Sequence, residues 1–358
     1  MLSSNVVRVG IAGCGWIAEN AHIPALRKVD NVEVTSLFDL STERAANLAA
    51  KYDISGVYQD YDSFLTSGVD AVVICTPNHT HAELSIKALK SGVHVLCEKP
   101  VAINFEEISN IVAAAKSRGK IFVPGFVNRF REDIQYINEL VLKNEIGRIN
   151  CVKAGWIRKN GMPRPGTWFT NKRYSGGGVL IDLGSHIIDI CLMLLKDKTP
   201  EKAVLHTGYD ANAFNASANW FVTGEKGELP VDVESAALAE VELTGGTSME
   251  VELSWSKPVE NDYTYFNLYG DSGEIQLKTL FGFSSNRLWK EDILTVKKNS
   301  KIKEVNLNRE TNNSKKAFEV LADYYIRRIR GEKSDFLNED DGVKAVRLIE
   351  ELYKSEEL

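Results

Sequence analysis

The first 128 residues alternate short apolar runs with longer amphipathic segments. A run of β-branched and apolar residues predicts a buried strand, and apolar positions that recur every three or four residues predict a helix. The expected strands lie near residues 6–11, 32–38, 69–75, 93–96 and 121–124, and the expected helices near 16–28, 43–51, 82–90 and 105–118. Regular alternation with short connections predicts an α/β domain built on a parallel, doubly wound sheet.

The pattern changes in the second half of the chain. Hydrophobic and polar residues alternate over 231–243, 247–255 and 263–269, with turn residues between the runs, which predicts antiparallel strands. Helices are expected near 134–142, 178–195, 317–330 and 342–354, a strand near 149–157 and a loop over 158–175. We therefore predict a doubly wound domain over 1–128 and an α+β domain over 129–341. The helix at 342–354 is expected to pack back on the first domain.

Composition and charge are those of an ordinary soluble globular protein. Of the 358 residues, 44% are hydrophobic and 26% are charged, and the length suits two domains. The net charge of −6 comes without a basic block, which gives no support for binding to nucleic acid or to an anionic membrane. The longest apolar stretch, 187–195, is interrupted by Asp189 and is too short to span a bilayer. Because the start of the chain runs straight into a strand without a signal peptide, we expect a cytoplasmic protein.

The five cysteines are scattered and contain no C-x-x-C pair. This distribution fits a reducing cytoplasm and argues against a zinc site or a disulfide framework. Cys97 lies beside a candidate site, but it is interpreted as a small buried residue and not as a nucleophile.

A glycine turn follows the first strand and opens the first helix. Gly13, Gly15 and Ala18 match the G-x-G-x-x-A pattern of a dinucleotide-binding Rossmann domain. There Gly13 permits the tight turn, Gly15 lets the backbone approach a pyrophosphate, and Ala18 lets the helix pack close to the strand. The N–H groups at the helix start, near Trp16 and Ile17, are expected to face the anion.

An acidic residue ends the second strand. Asp39 lies 26 residues after Gly13, near the offset at which a carboxylate binds the adenine ribose hydroxyls. The alternative is that Asp39 caps the helix beginning near Ser41, and it could do both. Since a carboxylate repels a 2′-phosphate, NAD is favoured over NADP. Arg44 is the nearby residue that could reverse this preference.

Polar residues also follow the third and fourth strands. In an open parallel sheet, ligands bind beyond the carboxyl ends of the strands, so Thr76, Pro77 and Asn78 are predicted to line the cofactor crevice. The alternative for Asn78, and for Thr80, is helix capping. His79 and His81 have the spacing of a metal pair, but no third ligand is near, so no metal is predicted.

Lys99 also lies at the carboxyl end of a strand. Pro100 biases it toward extended backbone. We interpret Lys99 as a functional residue that points into the cleft.

The helix predicted at 178–195 carries a polar pair on an otherwise apolar surface. Asp182 and His186 are four residues apart and therefore share one face of the helix, just after three glycines. A lone histidine there is usually a satisfied core residue, but the pair favours a functional site. Asp189 on the same flank either orients His186 or makes a structural hydrogen bond.

Four motifs occur together in one order: Gly-Cys-Gly-Trp-Ile-Ala at 13–18, Cys-Thr-Pro-Asn at 75–78, Glu-Lys-Pro at 98–100 and Gly-Gly-Gly-Val-Leu-Ile-Asp-Leu-Gly-Ser-His at 176–186. In this respect the chain resembles the Gfo/Idh/MocA family of sugar and cyclitol oxidoreductases. The resemblance implies a Rossmann domain followed by a domain with a large, mostly antiparallel sheet, which binds substrate and forms a homodimer or homotetramer. It also implies NAD as cofactor, with His81, Glu98 and Lys99 among its contacts.

The candidate chemistry is oxidation of a secondary hydroxyl group of a sugar or cyclitol. His186 is the predicted general base, because an imidazole has a pKa near working pH. Lys99 is predicted to stabilise the developing alkoxide and Asp182 to hold a neighbouring hydroxyl. Family members differ over whether the histidine or the lysine takes the proton.

Further residues are predicted to contact the substrate, and these are Asn128, Arg129, Arg158 and Trp168. The loop from Arg158 to Arg164 carries three cations, which could bind a phosphate or nucleotide or form a solvated surface. Two other functions stay open, an NAD-dependent glycosidase and a cofactor-binding regulator without catalysis.

Overall fold

A computed structural model of the chain describes residues 6–209, 227–305, 307 and 313–356. The chain divides into two compact units. The first unit comprises Met1–Val127 with Lys315–Val343, and the second comprises Asn128–Ser314 with Lys344–Leu358. Each unit has its own sheet and its own buried core.

The first unit contains a six-stranded parallel sheet in the order β3-β2-β1-β4-β5-β6. Its strands are β1 (Val7–Ala12), β2 (Val32–Phe38), β3 (Gly56–Tyr58), β4 (Ala71–Ile74), β5 (His94–Glu98) and β6 (Phe122–Gly125). The strand order reverses between β1 and β4, which is where a doubly wound sheet opens its ligand crevice. The predicted Rossmann fold is confirmed.

Helices connect these strands. They are α1 (Ile23–Leu26), α2 (Thr42–Tyr52), α3 (Tyr61–Leu65), α4 (His81–Lys90) and α5 (Phe105–Arg118). The sequence predicted one regular helix from the glycine turn to residue 28. Instead, a π-helical turn over Ala18–His22 precedes α1, and α1 ends at Leu26. Such turns insert an extra residue and occur often at functional sites.

The second unit contains an eight-stranded sheet in the order β14-β13-β12-β11-β7-β10-β9-β8. Its strands are β7 (Ile149–Ile157), β8 (Pro200–Gly208), β9 (Ala236–Leu243), β10 (Thr247–Ser254), β11 (Tyr263–Gly270), β12 (Gly273–Thr279), β13 (Ile293–Lys298) and β14 (Lys301–Val305). All neighbours are antiparallel except β7 and β10, which run parallel. The predicted large, mostly antiparallel sheet is therefore confirmed.

One predicted strand of this sheet is shorter than expected. The alternation at 231–243 suggested a single long strand, but β9 begins only at Ala236. In the preceding segment, the Glu234 carbonyl accepts from Val179 N at 3.0 Å, and its carboxylate accepts from Gly178 N and Leu180 N.

The helices of the second unit are α6 (Glu132–Leu142), α7 (Lys172–Ser175) and α8 (Ser185–Leu194). The predicted helix over 178–195 is not regular, because a π-helical turn over Leu180–Gly184 precedes α8. By length and composition alone, Lys172–Leu194 could cross a membrane, with a mean hydropathy of 1.6. However, 94% of that apolar stretch is buried inside the protein, as in the core helix of a globular domain.

The two C-terminal helices are α9 (Asn313–Ile329) and α10 (Glu339–Glu356). We expected α9 in the second domain, but Lys315–Val343 belongs to the first unit. There the Tyr325 hydroxyl donates to the Val72 carbonyl at 3.3 Å. We expected α10 on the first domain, but from Lys344 onward it belongs to the second unit. Helix periodicity identifies both helices and carries no information about what they pack against.

Candidate functional site

The glycine turn of the first unit has the shape that a dinucleotide requires. Gly13 has a φ of 92°, and a Cβ there would lie 2.7 Å from the carbonyl carbon of Cys75, so only glycine fits. A Cβ on Gly15 would meet no atom within 4 Å. The open space beside Gly15 and the fully buried Ala18 fit the predicted approach of a pyrophosphate to the helix start. Trp16 and Ile17 are half-buried at that start.

Asp39 is held beside this turn by backbone donors. Cys14 N donates to Oδ2 and Ser41 N donates to Oδ1, both at 2.8 Å. The cap of α2 is Ser41, whose hydroxyl accepts from Arg44 N at 3.3 Å, so the alternative of Asp39 as the cap is wrong. Burial and the Asp39 charge raise the pKa of Cys14 to about 12, which keeps it a thiol.

Arg44 lies close to the Asp39 carboxylate. Its Nη1 is 3.4 Å from Oδ1 and 3.3 Å from Oδ2, and 58% of its side chain is exposed. The binding of a ribose by Asp39 and the binding of a 2′-phosphate by Arg44 stay predictions.

We expect Asp39→Ala to reverse the cofactor preference. NADH affinity should fall by about 10- to 100-fold, because a hydrogen bond to a charged group contributes roughly 1.5–3 kcal/mol. NADPH affinity should rise, because the repulsion of the phosphate is removed and Arg44 becomes available. Fluorescence titration with both reduced cofactors measures the change. Adding Arg44→Ala should abolish the NADPH gain, and a gain that survives would contradict this assignment.

His81 connects two of the predicted cofactor motifs. Its Nδ1 lies 2.7 Å from the Pro100 carbonyl and its Nε2 lies 2.7 Å from the Thr76 carbonyl. Burial lowers the pKa of His81, and the two carbonyl oxygens oppose that effect. Because both ring nitrogens face backbone oxygens, the side chain holds the two turns together. Its contact with the cofactor stays a prediction.

Residues 76–80 form a compact turn at the end of β4. The Thr80 hydroxyl lies 2.7 Å from both the Pro77 carbonyl and the Thr76 hydroxyl. It makes no side-chain cap bond to α4, so the capping alternative for Thr80 is wrong. Asn78 is buried at the start of this turn. Contact of Thr76, Pro77 and Asn78 with the cofactor stays a prediction.

Glu98 and Lys99 lie at the carboxyl end of β5. The Glu98 carboxylate is 2.6 Å from Nε2 of His22 and accepts a hydrogen bond from Lys99 N at 3.1 Å. His22 and Glu98 are both buried, whereas Lys99 is half-buried. Sequence reasoning missed His22, although its place four residues after Ala18 on the same helical segment was a usable signal. Cys97 is fully buried, and burial raises the pKa of its thiol, so it has the character of a structural residue.

In the second unit, Asp182 and His186 lie among two tryptophans and an arginine. The Trp255 indole donates to Oδ2 of Asp182 at 2.9 Å. The ring of His186 lies 5.9 Å from that of Trp156, and the guanidinium of Arg158 lies 4.8 Å from the Trp156 ring centre. The structure thus brings together Asp182, His186 and Arg158. Sequence reasoning missed both tryptophans, because neither is near the motif in sequence.

Arg158 is an internal residue of this group. Only 8% of it is exposed, and burial lowers the pKa of its guanidinium, while the charges of Asp182 and Asp262 oppose that effect. Lys159 is exposed and Arg164 is half-buried. The three cations of the loop therefore do not form one solvated surface, because Arg158 is buried and Arg164 is half-buried.

Arg129 and Asp189 form a buried ion pair. Arg129 donates from Nε at 2.8 Å and from Nη2 at 2.7 Å to the two oxygens of Asp189. Asp189 was predicted either to orient His186 or to make a structural hydrogen bond, and its pairing with Arg129 corresponds to the structural role. Asn128 is also buried, and the rings of Trp168 and Phe169 contact each other at a tilt of 35°, with centres 4.7 Å apart. The roles of Asn128, Arg129 and Trp168 toward a substrate stay predictions.

Lys99 belongs to the first unit, and Asp182 and His186 belong to the second. Their meeting at one substrate stays a prediction. Within the described ranges, no group of three or more His, Cys, Asp or Glu side chains is arranged to hold a metal ion.

Two family models match the chain. Residues 7–126 match the oxidoreductase family with an NAD-binding Rossmann fold, GFO/IDH/MocA, and residues 134–276 match the GFO/IDH/MocA C-terminal domain. A putative UDP-kanosamine synthase oxidoreductase subunit of Amycolatopsis mediterranei is 31% identical, over 78% of this chain and 77% of that protein. D-glucoside 3-dehydrogenase of Escherichia coli is 30% identical, over 71% of this chain and 72% of that protein.

The fold also matches solved structures. Levoglucosan dehydrogenase in complex with NADH and levoglucosan superposes with a TM-score of 0.81 at 21% sequence identity. The match covers 98% of this chain and 97% of that chain.

Proposed function

Because the chain belongs to the Gfo/Idh/MocA family of NAD-binding oxidoreductases, we propose that it oxidises one secondary hydroxyl group of a sugar or cyclitol. The enzyme class is that of NAD(P)-dependent oxidoreductases acting on CH–OH groups, and the cofactor is NAD. Bound NAD supplies the acceptor for the hydride that leaves the carbon. Gly13, Gly15 and Asp39 are the residues that would hold it.

The observation that carries the proposal is the buried polar pair Asp182 and His186. In an apolar helix, such groups are costly unless they have partners or a function. His186 takes the hydroxyl proton as general base, and Asp182, held by the Trp255 indole, binds an adjacent hydroxyl of the same ring. Lys99 donates a hydrogen bond to the reacting oxygen and stabilises negative charge as it develops.

The charges around Asp182 favour an uncharged sugar ring. Burial lowers the pKa of Arg158, and the negative charges of Asp182 and Asp262 oppose this effect, so two anions already act on this one cation. A phosphate or carboxylate on the ring would meet these anions. Moreover, the indole N–H of Trp156 is buried and has no acceptor among the described residues, so a sugar hydroxyl is a suitable partner. Given the relative named D-glucoside 3-dehydrogenase, we propose a glucoside oxidised at C3 as the first substrate to test.

A substrate panel followed by nicotinamide absorbance tests the proposal. Inositols, hexoses, glucosides, hexose 6-phosphates and UDP-sugars are each incubated with NAD and with NADP. We expect NADH formation with a neutral glucoside or cyclitol, and kcat/KM at least about 10-fold lower for the matched 6-phosphate. Faster turnover of the phosphate than of the neutral sugar would contradict the interpretation of Arg158.

The same assay separates the other two functions. A glycosidase that regenerates its cofactor would release free sugar without net NADH, and a regulator would bind NAD without any turnover. Intact Lys99, Asp182 and His186 favour catalysis, because a regulator needs no group for proton transfer. The cytoplasmic location and the homodimer or homotetramer stay predictions.

A further inference from the structure

The Glu234 carboxylate caps the helical segment that carries Asp182 and His186. Gly178 N donates to its two oxygens at 3.0 and 2.9 Å, and Leu180 N donates to Oε1 at 3.0 Å. The first N–H groups of a helix lack partners within the helix, and a negative charge beside them is favourable. Glu234 is separated from Gly178 by 56 positions, so this cap joins the helix start to a distant segment of the chain.

That distant segment also reaches Asp182 from a second side. The Ser235 carbonyl accepts from Trp255 N at 2.9 Å, and the Trp255 indole donates to the Asp182 carboxylate at 2.9 Å. Asp182 N donates in turn to the Gly178 carbonyl at 3.0 Å. Both the backbone and the side chain of Asp182 are therefore connected to the adjacent residues Glu234 and Ser235.

The Glu234 side chain is buried and receives several hydrogen bonds. Only 4% of the residue is exposed, and the Tyr353 hydroxyl from α10 donates to Oε1 at 2.8 Å. Burial raises the pKa of Glu234, and the hydrogen bonds from Leu180, Tyr353 and Gly178 oppose that effect. A Cβ on Gly178 would lie 2.0 Å from the Glu234 carbonyl oxygen, which explains why glycine precedes the helix.

We propose that Glu234 is a positioning residue, which sets the place of Asp182 at the substrate. It touches neither cofactor nor substrate and acts through the helix start and through Trp255. This inference rests on the proposed function, because it assumes that Asp182 binds a sugar hydroxyl.

The test combines Glu234→Gln with Asp182→Asn, singly and together, in the full-length enzyme with its best sugar from the panel. Glutamine keeps the size of the side chain but removes its charge, and it replaces one of the two accepting oxygens by an amide group that cannot accept from an N–H donor. We expect Glu234→Gln to lower kcat by about 30-fold and to raise KM for the sugar, with NADH affinity unchanged. In the Asp182→Asn background, the same change should lower kcat by less than about 3-fold, because residues that act as one unit are not additive.

Controls distinguish positioning from a loss of folding. Glu240→Gln changes an exposed glutamate of β9 and should leave kcat and KM unchanged. If Glu234→Gln does not fold, Tyr353→Phe takes its place, with about a 5-fold lower kcat that again vanishes beside Asp182→Asn. Unchanged kcat in the single variant, or full additivity in the double variant, overturns the inference. Wild-type turnover of Asp182→Asn alone instead overturns the proposed role of Asp182.

Discussion

Replacing Lys99 by methionine is expected to lower kcat by about 10³-fold. Methionine matches the length of the alkyl chain but provides neither the cation nor the hydrogen-bond donor for the reacting oxygen. The side chain is half-buried, and its backbone N–H is bonded to Glu98, so the change leaves the local fold intact. Steady-state kinetics with the best sugar and NAD measures the loss.

Lys90→Met is the matched control for this prediction. Lys90 is exposed at the end of α4, and its replacement should leave kcat within about 2-fold of the original enzyme. NADH titration of Lys99→Met should show that the cofactor still binds. Turnover close to normal in Lys99→Met would remove this residue from the mechanism.

Gly13→Ala is expected to lower the stability of the protein, whereas Gly15→Ala is expected to lower its affinity for NADH. At Gly13 the added Cβ meets the backbone of Cys75 and Thr76 at 2.7 Å, and the φ of 92° is strained for alanine. We expect a loss of about 3 kcal/mol in the free energy of unfolding. At Gly15 the added Cβ meets no protein atom, so the apo protein should keep its melting temperature. Its NADH affinity should fall at least about 10-fold, because the methyl group enters the space for the pyrophosphate.

Thermal melting of the apo proteins and NADH titration separate these two effects. The pair serves as its own control, since the same change is made two residues apart in one turn. Gly119→Ala gives a second comparison, because that glycine also has a positive φ, of 59°, but has open space around it. It should lose stability only through backbone strain. A Gly15→Ala protein that binds NADH normally would contradict the assignment of the glycine turn.

Local patterns were sufficient to predict most of the fold. Five of the six strands of the parallel sheet coincide with the predicted apolar runs, and α5 coincides with the predicted helix near 105–118. Asp39 was found because its offset from the glycine turn is set by the length of one strand–helix–strand unit. Such features depend on residues that are close in sequence.

The parts that were not predicted depend on distant residues. His22 and Glu98 are 76 positions apart, and Asp182 and Trp255 are 73 apart, so no local spacing relates them. The π-helical turns at Ala18–His22 and Leu180–Gly184 also have no periodic signature, because helix propensity alone favours the regular α form. The start of β9 at Ala236, five residues later than predicted, was also not visible in the sequence, since Glu234 contacts residues 178–180, which are more than 50 positions away.

The return of α9 to the first unit has a consequence for synthesis on the ribosome. Tyr325 is fully buried and bonds to the carbonyl of Val72 on a central strand, yet it is made about 250 residues later. A nascent chain that has emerged only through Val127 therefore still exposes the surface that α9 covers. All six strands of the parallel sheet are made before α9, so the sheet lacks this helix until the end of synthesis, and its exposed surface must avoid aggregation while the whole second sheet is being made.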